Sequence, residues 1–405
     1  MKYYNITFEE LFEAYWECRK HKSHTHQARK FGMHLSHNLY KLLNAINRGT
    51  YKISPSIAFC VHRPVTREVF AASFCDRIIH HLVIRRLLPY LENYLIDDNY
   101  SCRKGKGTSY AIMRCAEKLY KCSENYTKET YIAKFDLKSF FMTIDKNRLY
   151  DALTEFINEN KIFNKRDYDC YMWLIREIIF DTPQDHCIIK QDMKHWVKLP
   201  REKSLFYVEK IKGLPIGNLT SQIFANFYLH KLDIFITETL GLKYYGRYVD
   251  DFYIMSHNKQ ELIDAQSKIR DFLVGLGITL HPKKCYLQDM YKGVKFVGAV
   301  ILPNRIYIAN RTKGNFWQSL KDFHNYFLEK DGNVTLNDVK KFINSTNSYL
   351  GFLKHYKTYN IRKKLLISSL CKPWLEYLTI DSNYLKVSLK KEMSTAASNI
   401  GRHLF

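Results

Sequence analysis

Apolar residues recur along this chain with two distinct spacings, and the switches between them mark out its elements. Phe8, Leu11, Phe12 and Tyr15 repeat at helical spacing, as do Leu39, Leu42, Leu43 and Ile46. A basic loop from His21 to Lys30, carrying His21, His24 and His26, joins these two predicted helices. Residues 51–70 are extended, punctuated by Pro55 and Pro64. Ile79, Leu82, Val83, Leu87 and Tyr90 give a strong helix over 76–94. Further helices are expected over 109–121, 146–159, 167–179, 223–239 and 260–276. Residues 131–141 begin as a half-buried strand, with Ile132, Lys134 and Asp136 on one face and Ala133, Phe135 and Leu137 on the other. Strands are also expected over 243–247 and 252–255, and in a hairpin from 294–300 to 305–307. Residues 181–212 are polar and loop-rich, with Trp196 and Phe206 as apolar anchors. From 311 onward the pattern is helical and basic, and no internal repeat appears.

The most informative segment is Tyr248-Val249-Asp250-Asp251, a tight acidic turn between two strand-forming runs. Adjacent carboxylates repel unless a cation lies beside them, and hard divalent ions prefer such oxygen ligands. Taken alone, the pair reads equally well as a solvated turn. Asp136 changes the balance, because it stands at the end of a strand whose other face is apolar. Three carboxylates so arranged can hold two metal ions, which activate an attacking oxygen and stabilise a leaving one in phosphoryl transfer. Gly213 to Gln222 forms a Gly- and Pro-containing turn into a helix, whose free backbone N–H groups suit a phosphate.

Composition agrees with a polyanionic partner. The 405 residues carry 63 Lys and Arg against 40 Asp and Glu, a formal charge of +23, and 15% aromatics offer stacking surfaces. The length suits two or three subdomains. The ten cysteines are dispersed without C-x-x-C spacing and read as reduced structural thiols of a cytoplasmic protein. No apolar signal segment or membrane-spanning run is evident, so no membrane partner is expected.

The order of motifs resembles that of reverse transcriptases over roughly residues 30–365. The resemblance rests on Arg63-Pro64-Val65-Thr66-Arg67-Glu68, Asp76-Arg77, Ser101 to Gly107, Phe135-Asp136-Leu137-Lys138-Ser139-Phe140-Phe141, Leu214-Pro215-Ile216-Gly217-Asn218, Tyr248 to Asp251 and Phe296-Val297-Gly298. Within the family the chain looks most like the bacterial group of diversity-generating retroelements. Residues 67–72, 199–206, 214–222 and 348–355 carry that closer match. The resemblance implies an α+β right-hand polymerase fold: an N-terminal helical extension (1–60), fingers and palm with an antiparallel sheet (61–310), and a helical thumb (311–405). No RNase H or endonuclease module is expected.

It also implies roles. Asp136, Asp250 and Asp251, with the Leu137 carbonyl, match the ligands of two Mg²⁺ ions, for which Mn²⁺ can substitute. Arg63 and Arg67 match residues that hold the nucleoside triphosphate, and Phe141 the bulky residue that excludes a 2′-OH. Ile216 and Gly217 match the nucleotide-binding turn, where many relatives carry Gln in place of Ile216. Lys284, or its neighbour Lys283, matches a proton donor to the leaving pyrophosphate. Arg103, Tyr248, Phe296, Gly298 and Lys354 match primer and template contacts. Lys354, His355, Lys357, Arg362, Lys363 and Lys364 would give the thumb a basic face.

The implied activity is RNA-dependent DNA synthesis on a cognate template, with structured non-coding RNA, primer or cDNA and dNTPs as partners. A small basic helical accessory protein and oligomerisation are compatible with it. Error-prone copying in a retroelement is the first expectation. The alternatives are an antiphage defence enzyme making repetitive, untemplated or protein-primed DNA, and an RNA-binding complex in which synthesis is secondary.

Overall fold

The computed structural model describes residues 3–20, 22–62 and 65–390. His21 and Arg63, both singled out by sequence, lie outside the described residues. The chain divides into two compact units, the first ending at Asp289 and the second beginning at Met290. The expected thumb boundary at 310/311 therefore falls inside the second unit.

The first unit opens with helices α1 (Phe8–Arg19), α2 (His26–Met33) and α3 (Leu35–Asn47). Thr7 and Glu10 cap α1 reciprocally, as a capping box. Part of the expected 21–30 loop is thus helical, because Thr25 accepts from the Ala28 N–H and starts α2. The three helices share one core with the long helix α4 (Phe74–Tyr94). On the surface of that packing, Arg85 pairs with Glu13 and Glu17, and Arg86 with Glu10 and Asp167. Residues 1–60 are accordingly not a separate extension.

Strands β1 (Ile57–Val61) and β2 (Arg67–Ala71) form an antiparallel hairpin, with Cys60 opposite Glu68. Helix α5 (Thr108–Cys122) precedes β3 (Tyr131–Asp136). The strand stops at Asp136: Ser139 is left-handed, at φ +49°, and Phe140–Thr143 form a helical turn, α6. Phe141 is therefore helical, where a continued strand was expected. Helices α7 (Lys146–Glu159) and α8 (Tyr168–Phe180), the turn α9 (Pro183–His186) and a two-residue strand β4 (Ile188–Ile189) follow. β4 joins β1 in parallel to complete a small sheet. The single helix expected over 223–239 is broken into α10 (Leu219–Tyr228), α11 (His230–Ile234) and a wider π turn over Phe235–Thr239.

The central sheet has the order β5-β6-β3-β7, all antiparallel, from β5 (Tyr244–Tyr248), β6 (Asp251–Ser256), β3 and β7 (Tyr286–Asp289), with α12 (Lys259–Gly275) between β6 and β7. β3 is not half-buried as its alternation suggested. Ile132 and Lys134 on one face are as inaccessible as Ala133 and Phe135 on the other. Phe135 stacks on Phe252 of β6 with centroids 4.9 Å apart. Each such buried ring contributes roughly 1.5–3 kcal/mol.

The second unit starts with a meander, β8 (Val294–Phe296), β9 (Ala299–Leu302) and β10 (Arg305–Ile308). Helices α13 (Asn310–Glu329), α14 (Leu336–Leu353) and α15 (Tyr359–Leu366) pack around Trp374, whose ring stacks on Phe342 at 4.7 Å. The expected all-helical pattern gives way at the end to a hairpin of β11 (Leu378–Ile380) and β12 (Val387–Leu389). Among the described residues no helix is long and apolar enough to cross a membrane. All ten cysteines are free thiols.

Candidate active site

Backbone pairing gathers three acidic residues at one end of the central sheet. Asp136, the last residue of β3, stands opposite Asp251, the first of β6. The Leu137 N–H donates to the Asp250 carbonyl at 3.2 Å. Asp250 and Val249 form the two-residue turn between Tyr248 and Asp251, which are themselves register partners. Val249 has φ +59°, at a position where such hairpins favour glycine. For a β-branched residue this costs on the order of 1–2 kcal/mol.

A fully buried network holds that strained turn. Arg247 and Asp233 are both 0% exposed and pair side by side, Arg247 Nε donating to Asp233 Oδ1 at 2.6 Å. Tyr245 also donates to Asp233, and Arg247 Nη1 donates to the Val249 carbonyl at 2.9 Å. The Val249 N–H donates to Ser101 Oγ at 3.1 Å, and Ser101 in turn donates to Asn226 Oδ1. Both polar groups of the strained residue are thus satisfied from below. Ser101 lies in a motif quoted from sequence, and Tyr245 and Arg247 in a predicted strand, but sequence reads no supporting role for any of these residues. A signal existed: Arg247 occupies an inward phase of β5, and Asp233 interrupts an apolar helix.

The electrostatics of the acidic cluster are crowded. Burial, then the charge of Asp136, pushes the Asp250 carboxyl above its ordinary range, while the Arg67 and Lys284 charges pull it down. Lys284, half-exposed, places Nζ 2.9 and 3.1 Å from the two Asp136 carboxylate oxygens. Lys134, buried beneath the sheet end, pairs with Asp251, and burial lowers its pKa to about 8 against the raising effect of Asp136 and Asp250. The donor set is all oxygen and carries excess negative charge, which suits a hard divalent cation. As the side chains stand, the cations next to it are these two ammonium groups. Among the described residues no three His, Cys, Asp or Glu side chains converge into a ready metal cage.

The other residues expected at the site fall into two sets, one in each unit. Arg67 begins β2, exposed, and near enough for its charge to act on Asp250. The turn from Leu214 to Asn218 docks on the same strand: Phe70 N–H donates to the Ile216 carbonyl at 2.9 Å, and Ala72 N–H to Asn218 Oδ1 at 3.1 Å. Gly217 sits at φ +121°, and a Cβ there would meet Val69 Cγ1 at 2.7 Å, so only glycine fits. Ile216 and Phe141 pack partly buried against the cluster of Ala58, Phe70, Met142 and Leu205. Tyr248 is half-buried beside the turn. Phe296, Gly298 and Lys354 belong to the second unit. Phe296 is buried, the β8–β9 turn has positive φ at Val297 and Gly298, and Lys354 is exposed just beyond α14.

Two basic residues depart from their expected roles. Arg103, expected on primer or template, is a structural clamp, its side chain only 7% exposed. It donates to Glu92 Oε2 at 2.7 Å and to the Ile96 carbonyl at 2.6 Å, tying the Gly-rich loop to the end of α4. Arg362, expected on a basic thumb face, is buried and donates to Thr358 Oγ1 and the Asn383 carbonyl. Conversely, Glu68 is only 1% exposed and accepts from Trp196 Nε1, Ser204 Oγ and Leu205 N at 2.7–2.8 Å. Sequence pointed to Trp196 as an anchor but not to its buried carboxylate partner.

The sheet-end carboxylates and the turn docked on β2 lie inside a recognised family boundary. The family model for reverse transcriptase (RNA-dependent DNA polymerase) matches residues 66–301, more than half of the chain, and the chain belongs to that family. No curated protein matches it. Solved structures similar to it include apo telomerase from Candida tropicalis truncated from its C-terminal domain, at 15% identity and TM-score 0.45, covering 64% of this chain and 55% of that one. Telomerase from Candida albicans with a fragment of telomeric RNA gives 12% identity and TM-score 0.45, covering 80% and 59%. Another apo telomerase structure from Candida tropicalis gives 13% and 0.46, covering 82% and 62%. The chain thus spans less than two thirds of the length of these structures.

Proposed function

We propose that the protein copies a cognate RNA into cDNA, extending a primer with dNTPs at the end of the β3–β6 ladder. One observation carries the reading: Asp136 and Asp251 are register partners, and Leu137 hydrogen-bonds the intervening Asp250. A pair of Mg²⁺ ions, or Mn²⁺ in their stead, held by Asp136, Asp250, Asp251 and the Leu137 carbonyl would supply the activation of the attacking primer oxygen and the stabilisation of the leaving one. Lys284 then has a second task. Half-exposed and resting on Asp136, it is free to turn towards the leaving pyrophosphate and hand it a proton. Arg67 receives the triphosphate, for which a guanidinium offers bidentate contact. Phe141 forms the wall against the sugar, with Ile216 and Gly217 as the floor beneath the nucleotide.

Error-prone copying in a diversity-generating retroelement is the biological role we favour. The apolar Ile216 supports it, because this side chain packs and offers no hydrogen bond to select the incoming nucleotide. Primer extension on the native RNA, with the products sequenced, tests both levels. Templated cDNA with errors concentrated at template adenines is the expected result. Repetitive or untemplated DNA would point to antiphage defence, and no dNTP incorporation would overturn the polymerase reading.

A further inference from the structure

We propose that the segment 190–212 is a platform for single-stranded nucleic acid, on which an unpaired base stacks against Tyr207 beside Arg201. The proposal rests on the polymerase reading and gives the template strand a path outside the carboxylate cluster.

The segment is strongly basic, with seven lysines and arginines against three acidic residues. Lys194, Lys210 and Lys212 pair with Asp192, Asp185 and Glu209. Lys190, Lys198, Arg201 and Lys203 have no acidic partner among the described residues. Their charge is therefore available to phosphates.

The second observation is an exposed ring with a cation on it. Tyr207 is 63% exposed, and the Arg201 guanidinium lies 5.2 Å from its centroid. Val197, at 83%, adds a further apolar surface. An aromatic ring flanked by unpaired cations matches the stacking sites of single-strand binders, which need bases that no duplex has already stacked.

The third is rigidity. A solvated basic loop has no need of a buried carboxylate, yet Glu68 fastens this one at Trp196, Ser204 and Leu205. Phe206 packs on Phe70 of β2 with centroids 5.6 Å apart. Trp196, Leu199 and Leu205 are buried, so Lys198, Arg201 and Tyr207 remain outside. The anchoring strand is the one that carries Arg67, which ties the platform to the nucleotide side of the site.

Fluorescence anisotropy on the full chain tests the proposal, using a primer–template with a short 5′ RNA overhang of about two nucleotides and one of about twelve, the length scale of single-strand sites. Wild type is expected to bind the long overhang more tightly. Tyr207→Ala should weaken that complex by about 5- to 100-fold, as expected for one lost base–aromatic stack, with short-overhang binding unchanged. Tyr207→Phe should retain wild-type affinity, and Lys198→Ala should lower the salt slope by about one. The proposal is overturned if wild type does not distinguish the overhangs, if Tyr207→Ala binds both as wild type does, or if it loses both equally. An acidic protein as the true occupant would show itself as the second of these. Failure of wild type to incorporate dNTPs sinks the polymerase reading alone, since the affinities are read without synthesis.

Discussion

Arg247 and Asp233 form an ion pair from which water is wholly excluded, and Arg247 also grips the carbonyl of Val249 in the acidic turn. Removing one partner strands the other charge in the core. Arg247→Ala should therefore destabilise the first unit by about 3–5 kcal/mol, read as a lowered urea midpoint. Arg247→Lys should rescue little, because one ammonium cannot reproduce the forked contacts to Asp233, Asn226 and Val249. A variant as stable as wild type would show that the pair does not support the turn.

Asp250→Ala should abolish primer extension while leaving RNA affinity within about twofold, because metal ligation belongs to the chemical step and phosphate contacts dominate binding. Parallel extension and filter-binding assays check this. Normal extension by the variant would remove the carboxylate cluster from the reaction.

Ile216→Gln adds a hydrogen-bonding side chain where only apolar contact now exists. The expected outcome is a lower misincorporation frequency, most visible at template adenines, with a modest loss of stability. Sequencing of cDNA from both proteins decides it, and identical error spectra would dismiss Ile216 as a fidelity determinant.

Gly217→Ala forces a side chain into left-handed backbone against Val69 and Phe70. A loss of roughly 1–3 kcal/mol is expected, together with a raised KM for dNTP as the turn lifts from β2. Unaltered unfolding and kinetics would mean that the turn can re-dock elsewhere.

The contribution of two buried histidines to stability should fall as pH drops below neutrality. Burial lowers His80 from its ordinary 6.5 to about 3, and His230 to about 4, so the folded chain keeps them neutral where the unfolded chain takes up protons. Their contribution is complete above pH 6.5 and is lost progressively as pH falls from there towards those lowered values. Each histidine gives a slope on the order of 1 kcal/mol per pH unit. His80→Gln should flatten the dependence between pH 6.5 and 5, measured as urea midpoints. An unchanged slope would mean that His80 is protonated in the folded state.

Much of this architecture is legible in the chain because burial imposes a period. The stripe at Leu39, Leu42, Leu43 and Ile46 emerges buried on α3, and the runs flanking Val249-Asp250 emerge as β5 and β6. What periodicity cannot show is which polar side chains are turned inward to meet each other. Glu68 and Trp196 are 128 positions apart, and although Trp196 reads as an anchor, Glu68 looks like a surface residue in its own neighbourhood. Arg103 misleads for the same reason: in a Gly-rich basic loop a phosphate ligand and a carbonyl clamp have the same local sequence. β4 is illegible because two exposed isoleucines carry no alternation.

The alternation of β2 has a mechanical corollary. Arg67 and Glu68 are neighbours on one short strand, the first reaching electrostatically to Asp250 and the second bolted to the loop that carries Tyr207. Any displacement of that strand would carry the loop along with it, since Glu68 holds the loop at Trp196, Ser204 and Leu205. If Arg67 receives the triphosphate and Tyr207 the template, as proposed, the two events would be geared together through β2, as two ends of one lever.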